Sequence, residues 1–260
     1  MPLDAHIEDI YTSFGKERKT ILSGFSLSLK EGESIAILGE SGGGKSMAGL
    51  ALLRLLPFNV FASGLSFILD GEDIASLKSN EFHRLLGREF LYLPQDAFGH
   101  LNKAKTIGAQ FKDVLKRQGF KGDNIKKERG MRLLSAGFAN PEEITSRYPS
   151  ELSGGQNQKI LLAMQKSPKA KLVIADEISN GVDEATFEEF ASSFFSAFAS
   201  SYKIVITHDI ALAKMCDKVI VIAGNQIIES GDRSILSGKA QSEYLKEYLS
   251  AIPSKSEARP

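Results

Sequence analysis

The chain has 260 residues, an ordinary 42% of them hydrophobic, and carries 32 basic and 32 acidic side chains. A net charge of zero gives no support to a general nucleic-acid or acidic-membrane binder, and one cysteine, Cys216, excludes an internal disulfide or a thiolate metal cluster. No stretch approaches the roughly 20 apolar residues that cross a bilayer, and residues 1–6 carry neither a basic nor an apolar leader, so membrane work is expected to pass through a partner.

In chain order, residues 25–29 alternate apolar and polar, the pattern of a half-buried strand. Residues 30–33 read as a turn, and 34–38 as an apolar strand covered on both faces. After a run of glycines, residues 47–56 predict a helix ended by Pro57. The segment 97–148 reads as a mostly helical insert, with helix-favouring stretches at 111–118 and 125–136 and closing prolines at Pro141 and Pro149. Strand patterns return at 171–175, 203–207 and 218–222. Strands alternating with helices imply an α/β fold with a largely parallel sheet. The polar tail, 252–260, reads as frayed.

Two constellations carry chemistry. Gly39, Glu40, Ser41, Gly42, Gly43, Gly44, Lys45 and Ser46 match the phosphate-loop pattern, with an apolar strand leading in and a helix, starting near Met47, leading out. Glycines let successive N–H groups turn toward a β-phosphate, and the helix start adds partial positive charge. Lys45 is then placed to neutralise β/γ oxygens, and the Ser46 hydroxyl to ligate Mg²⁺. Asp176 and Glu177 end a buried strand, where ligands of α/β sheets sit. Asp176 can reach that metal, directly or through water, and Glu177 can orient or deprotonate an attacking water.

Between these two lies Leu152-Ser153-Gly154-Gly155-Gln156, a second anion nest at a helix start. It closely resembles the LSGGQ signature of ATP-binding cassette (ABC) proteins. That resemblance runs from about residue 7 to 231. It implies a P-loop NTPase with a RecA-like core, an antiparallel β subdomain near the N-terminus and an inserted helical subdomain. The chain is then a single ABC ATPase domain, 1–260, with the core and β subdomain at 1–94 and 165–260 and the helical part at 95–164. The resemblance also implies ATP and Mg²⁺ as cofactors, with Met47 beside the nucleotide. Gln95 is then the glutamine that touches Mg²⁺ and links to membrane subunits, and His208 the switch histidine at the γ-phosphate. Asp183 spans a dimer interface. Phe14 stacks on adenine, with Tyr11 as the rival. Ser153, Gly154, Gly155 and Gln156 close over ATP held by the partner.

The implied partners are a second ABC ATPase subunit, two membrane permease subunits and, indirectly, an extracytoplasmic solute-binding protein. Nucleic acid is not among them. The implied place is the cytoplasmic face of the inner membrane. Residues 95–102 and 148–153 resemble the corresponding stretches of peptide and nickel importers, and the absence of a cysteine-bearing C-terminal extension points to the shorter, nickel-type subunit. The family pattern is broken at Lys159, where an arginine is usual, and at Ile178-Ser179 and Asn180-Gly181-Val182. The last of these changes motivates an asymmetric pair with a different ATPase.

Overall fold

The computed structural model describes residues 2–14 and 17–251, apart from the Glu184 side chain; the tail expected to fray, 252–260, lies outside the described residues. The elements run β1 (Leu3–Phe14), β2 (Glu17–Leu29), β3 (Ser34–Gly39), α1 (Lys45–Leu52), β4 (Val60–Ser63), β5 (Ser66–Leu69) and β6 (Glu72–Asp73). Next come α2 (Ser79–Leu85), β7 (Phe90–Leu93), α3 (Ala97–His100), α4 (Ile107–Arg117), α5 (Asp123–Ser135), α6 (Pro141–Ser146) and α7 (Gly154–Gln165). The chain closes with β8 (Leu172–Asp176), α8 (Glu184–Ala197), β9 (Tyr202–Ile206), α9 (Ile210–Lys214), β10 (Lys218–Ala223), β11 (Gln226–Asp232) and α10 (Glu243–Ser250). These elements form two compact units, one of Met1–Leu29, Glu33–Ala75 and Val205–Pro260, the other of Lys30–Gly32 and Ser76–Ile204.

In the first unit the strands lie in the order β6-β5-β1-β2-β11-β10-β3, with β4 also on β1. The long β1–β2 hairpin is antiparallel and places Leu3 opposite Leu29, Ala5 opposite Leu27 and Ile7 opposite Phe25. All six are buried, while Asp4, His6, Ser26 and Ser28 face solvent; the period of two sorts the faces. β10 runs parallel to β3 and β11 parallel to β2, but β1 pairs antiparallel with β2, β4 and β5. The sheet of this unit is therefore mixed. The alternation of strands and helices predicts only its parallel part, because hairpin strands announce no crossover helix.

Helix α1 ends at Leu52, short of the predicted Leu56. Arg54 takes a left-handed φ of 54°, and the Leu55 N–H closes back on the Leu50 carbonyl at 2.8 Å. This is the left-handed stop usual at helix ends. The Arg54 guanidinium rewards the turn by donating to the carbonyls of Ile74 and Ala75 at 3.0 and 2.9 Å. Pro57 comes after the helix is already over.

The second unit holds β7, β8 and residues 202–204 of β9, with β7 parallel to β8 and every residue of β8 and β9 buried. Its helices share a separate core. Ile107, Phe111 and Leu115 repeat every four residues along α4 and are fully buried with Leu133 and Ile160. Lys203 on β9 is a structural staple. Its ammonium donates to the carbonyls of Gly32, Phe198, Ala199 and Ser201 at 2.7–3.4 Å, while the residue is only 3% exposed. Lys203→Met keeps the apolar stem and strands those carbonyls. We expect a loss of about 3 kcal/mol, read as a lower urea midpoint with unchanged slope; an unchanged midpoint would refute the staple.

Candidate functional site

The phosphate loop is built in the first unit. β3 delivers Gly39 at φ 144°, and a Cβ there would meet the Ile222 carbonyl oxygen at 2.1 Å. Only glycine fits. Gly44, left-handed at φ 87°, is the N-cap of α1. Lys45 is the first residue of that helix and is buried. Its ammonium donates to the Gly39 and Glu40 carbonyls at 2.8 and 2.7 Å, so the loop itself aims the charge. The half-buried Ser46 follows, and the Gly43 N–H closes the loop onto the Glu40 carbonyl at 3.2 Å. Glu40, Ser41 and Gly42 are exposed, which leaves their backbone open to a phosphate chain.

In the same unit His208 follows β9 and is exposed. The Thr207 N–H donates to the Ile37 carbonyl at 3.1 Å, and Asp209 caps α9 through the N–H groups of Ala211 and Leu212. Phe14, at the end of β1, is 66% exposed. Tyr11 is engaged elsewhere: the Arg18 guanidinium lies 3.5 Å from its ring centroid, and Phe61 stacks on it at 5.8 Å.

In the second unit the acid pair ends β8. Asp176 and Glu177 are 3% and 8% exposed. The Tyr92 hydroxyl donates to Asp176 Oδ2 at 2.8 Å; burial, and then that carboxylate, push the Tyr92 pKa well above its usual range. Asp176 Oδ1 is buried with no hydrogen-bond partner among the described residues. A buried carboxylate oxygen left unpaired suits a metal or metal-bound water, so the residues present fit Mg²⁺. Glu177 adopts φ 49°, a left-handed backbone that costs a non-glycine residue about 1 kcal/mol. Such strain clusters at working positions. Register pairs Leu93 with Ala175 at the ends of β7 and β8, and Gln95 lies exposed two residues past the end of β7.

The signature opens α7 in this unit. Ser153 is its N-cap: its hydroxyl accepts from the Gln156 N–H at 3.2 Å, and its own N–H donates to Gln156 Oε1 at 3.0 Å. This reciprocal box fixes the first turn. The N–H groups of Gly154 and Gly155, as the first two of a helix, have no intrahelical carbonyl to meet. Ser153, Gly154 and Gln156 are exposed. The nest thus points outward, and a Cβ on Gly155 would come within 3.3 Å of the Gly181 carbonyl oxygen. Asp183 caps α8, accepting from the Thr186 N–H at 3.0 Å and its hydroxyl at 2.8 Å; the hydroxyl holds the Asp183 carboxyl below its ordinary pKa.

Sequence reasoning missed the polar residues behind these motifs. Gln158 is buried and donates to the Ile178 carbonyl at 3.0 Å, tying α7 to the residue after Glu177. Asn157 donates to the Pro149 carbonyl at 3.0 Å and binds α7 to the segment before it. Two amides on the first turn of an apolar helix were the available signal, since a buried amide must find a partner.

Comparison with known proteins agrees with this geometry. A family model described as ABC transporter matches residues 22–180. The chain is 30% identical over 256 residues to the dipeptide transport ATP-binding protein DppD of Escherichia coli (strain K12), covering 95% of this chain and 78% of that one. It is 32% identical to the oligopeptide transport ATP-binding protein OppD of Bacillus subtilis (strain 168), covering 94% and 69%. Among solved structures, the ATP-binding cassette MJ0796, a dimer bound to ADP and Pi, is similar in fold with a TM-score of 0.75 at 20% identity, over 88% of this chain and 98% of that one. Family model, relatives and fold agree: this chain belongs to the ABC transporter family and is one of its ATP-binding cassettes.

Proposed function

We propose that the cassette powers peptide import, hydrolysing ATP as one subunit of a membrane complex. The support for peptide as cargo comes from relatives named for dipeptide and oligopeptide transport. The observation that carries the mechanism is the outward-facing nest at Ser153–Gln156, which has the chemistry to grip an anion. A second cassette carrying the same pair of devices completes both sites. Each nest closes over the γ-phosphate that the other subunit holds, so neither chain hydrolyses efficiently alone.

On this reading Phe14 stacks on adenine, since Tyr11 already has two partners. Gly39 to Met47 wraps the phosphates. Lys45 offsets the charge that builds on the transferred group. Mg²⁺, when bound through Ser46, Asp176 and Gln95, supplies Lewis-acid neutralisation of β- and γ-oxygens. Tyr92 holds one Asp176 oxygen, so the other keeps a fixed direction. Glu177 orients the attacking water and takes its proton, His208 contacts the γ-phosphate, and Asp183 meets the partner cassette. Two permease subunits receive the resulting motion near Gln95, at the cytoplasmic face of the membrane, with a binding protein delivering solute to them from the other side.

The cargo is tested by reconstitution. In vesicles holding the permease subunits, binding protein and both cassettes, ATP should drive accumulation of a labelled dipeptide or oligopeptide. Uptake of labelled nickel in those vesicles, with no peptide uptake, would overturn the peptide reading and leave the ATPase reading intact.

A further inference from the structure

Helix α10 reaches two loops of the first unit with two tyrosines one turn apart. Tyr248 donates its hydroxyl to the His208 backbone carbonyl at 2.8 Å. Tyr244 stacks on Tyr248, with centroids 6.0 Å apart and rings inclined by 19°. The Tyr244 hydroxyl is buried beside Glu40 of the phosphate loop. A spacing of four residues puts both rings on one face of the helix.

The helix is firmly seated without help from either loop. Glu229 on β11 accepts from the Gln241 N–H at 2.8 Å, the Ser242 N–H at 2.9 Å and the Ser242 hydroxyl. Ser242 also caps the helix through the Leu245 N–H, and Leu245 is fully buried. On the other side, the neighbours of His208 are tied down by Thr207 and Asp209, whose N–H donates to the Thr207 hydroxyl at 3.0 Å. The peptide plane after His208 is the part of this loop that α10 reaches.

We infer that Tyr248 is a positioning residue for hydrolysis: its hydroxyl fixes the peptide plane at His208, and with it the direction in which the imidazole leaves the backbone. Through this bond α10 steadies the loop that carries His208. The inference rests on the role given to His208 above, and it adds a residue outside every motif of the family pattern. Tyr248 does not touch nucleotide. It acts through His208.

Tyr248→Phe removes the hydroxyl and keeps the ring, its stacking and the helix packing. In the full chain assembled with its partner subunits, kcat for ATP should fall about fivefold, the worth of one lost hydrogen bond. KM for ATP and the melting midpoint should not move. In a His208→Ala background the same substitution should change nothing further, because the pathway runs through that side chain. Full turnover in Tyr248→Phe, beside a crippled His208→Ala, would overturn the inference alone. Losses that simply multiply in the double variant, or a melting midpoint that falls with the rate, would also overturn it by making Tyr248 structural. Full turnover in His208→Ala would remove the role of His208 and this inference together.

Discussion

Glu177→Gln is expected to keep nucleotide affinity while turnover falls by about 10²–10⁴-fold, the range for loss of a general base. The substitution is isosteric, at a side chain only 8% exposed. The turn around it is held by its own backbone carbonyl, which accepts from the Asn180 N–H at 3.1 Å and is unaffected by an amide in the side chain. The left-handed φ of 49° is no harder for glutamine than for glutamate. What disappears is the proton acceptor. Equilibrium binding of a fluorescent ATP analogue, set beside steady-state hydrolysis, separates the two properties. Cassettes stalled before hydrolysis should also accumulate as ATP-dependent pairs in size-exclusion chromatography. Unchanged hydrolysis would strip Glu177 of its role, and parallel loss of binding would make it a scaffold residue.

The second large effect is expected on the opposite property. Gly155→Asp introduces a carboxylate where the nest should meet phosphate oxygens, and its Cβ would crowd the Gly181 carbonyl oxygen at 3.3 Å. Like charges facing each other in a closed interface cost several kcal/mol. We expect ATP affinity of the isolated chain to stay as it is, because its own phosphate loop is untouched, and turnover of the assembled pair to drop at least about 100-fold. Affinity measured on the single chain and hydrolysis measured on the pair give the comparison. If the isolated chain loses ATP affinity in step with turnover, the nest serves its own nucleotide and the two-subunit mechanism is wrong.

The parts of this cassette that were legible in the sequence are those whose geometry is local. Gly39 to Ser46 announces itself because a tight anion-binding turn demands glycine at set spacings, and the buried runs of β3, β8, β9 and β10 stand out because strands covered on both faces are apolar throughout. The end of α1 was not legible: it depends on Arg54 entering a left-handed turn whose guanidinium finds carbonyls some 20 positions along the chain. The antiparallel hairpin was read only over 25–29, although β2 begins at Glu17. Its first four residues, 17–20, are exposed and offer no apolar alternation to read. Tyr92, Gln158 and Tyr248 have no motif, because each works through a partner 20 to 84 residues away. The proposed preference for Phe14 over Tyr11 rests on Arg18 and Phe61, which both contact Tyr11.

The amide of Gln158 has a consequence for how two nucleotides are consumed. On the mechanism proposed above, it fastens α7, whose first turn carries the nest, to Ile178, the residue after Glu177. A disturbance at Glu177 on one side would then be felt, one hydrogen bond later, by the nest that faces the other side's fuel. Two reaction centres wired in this way would not keep independent clocks.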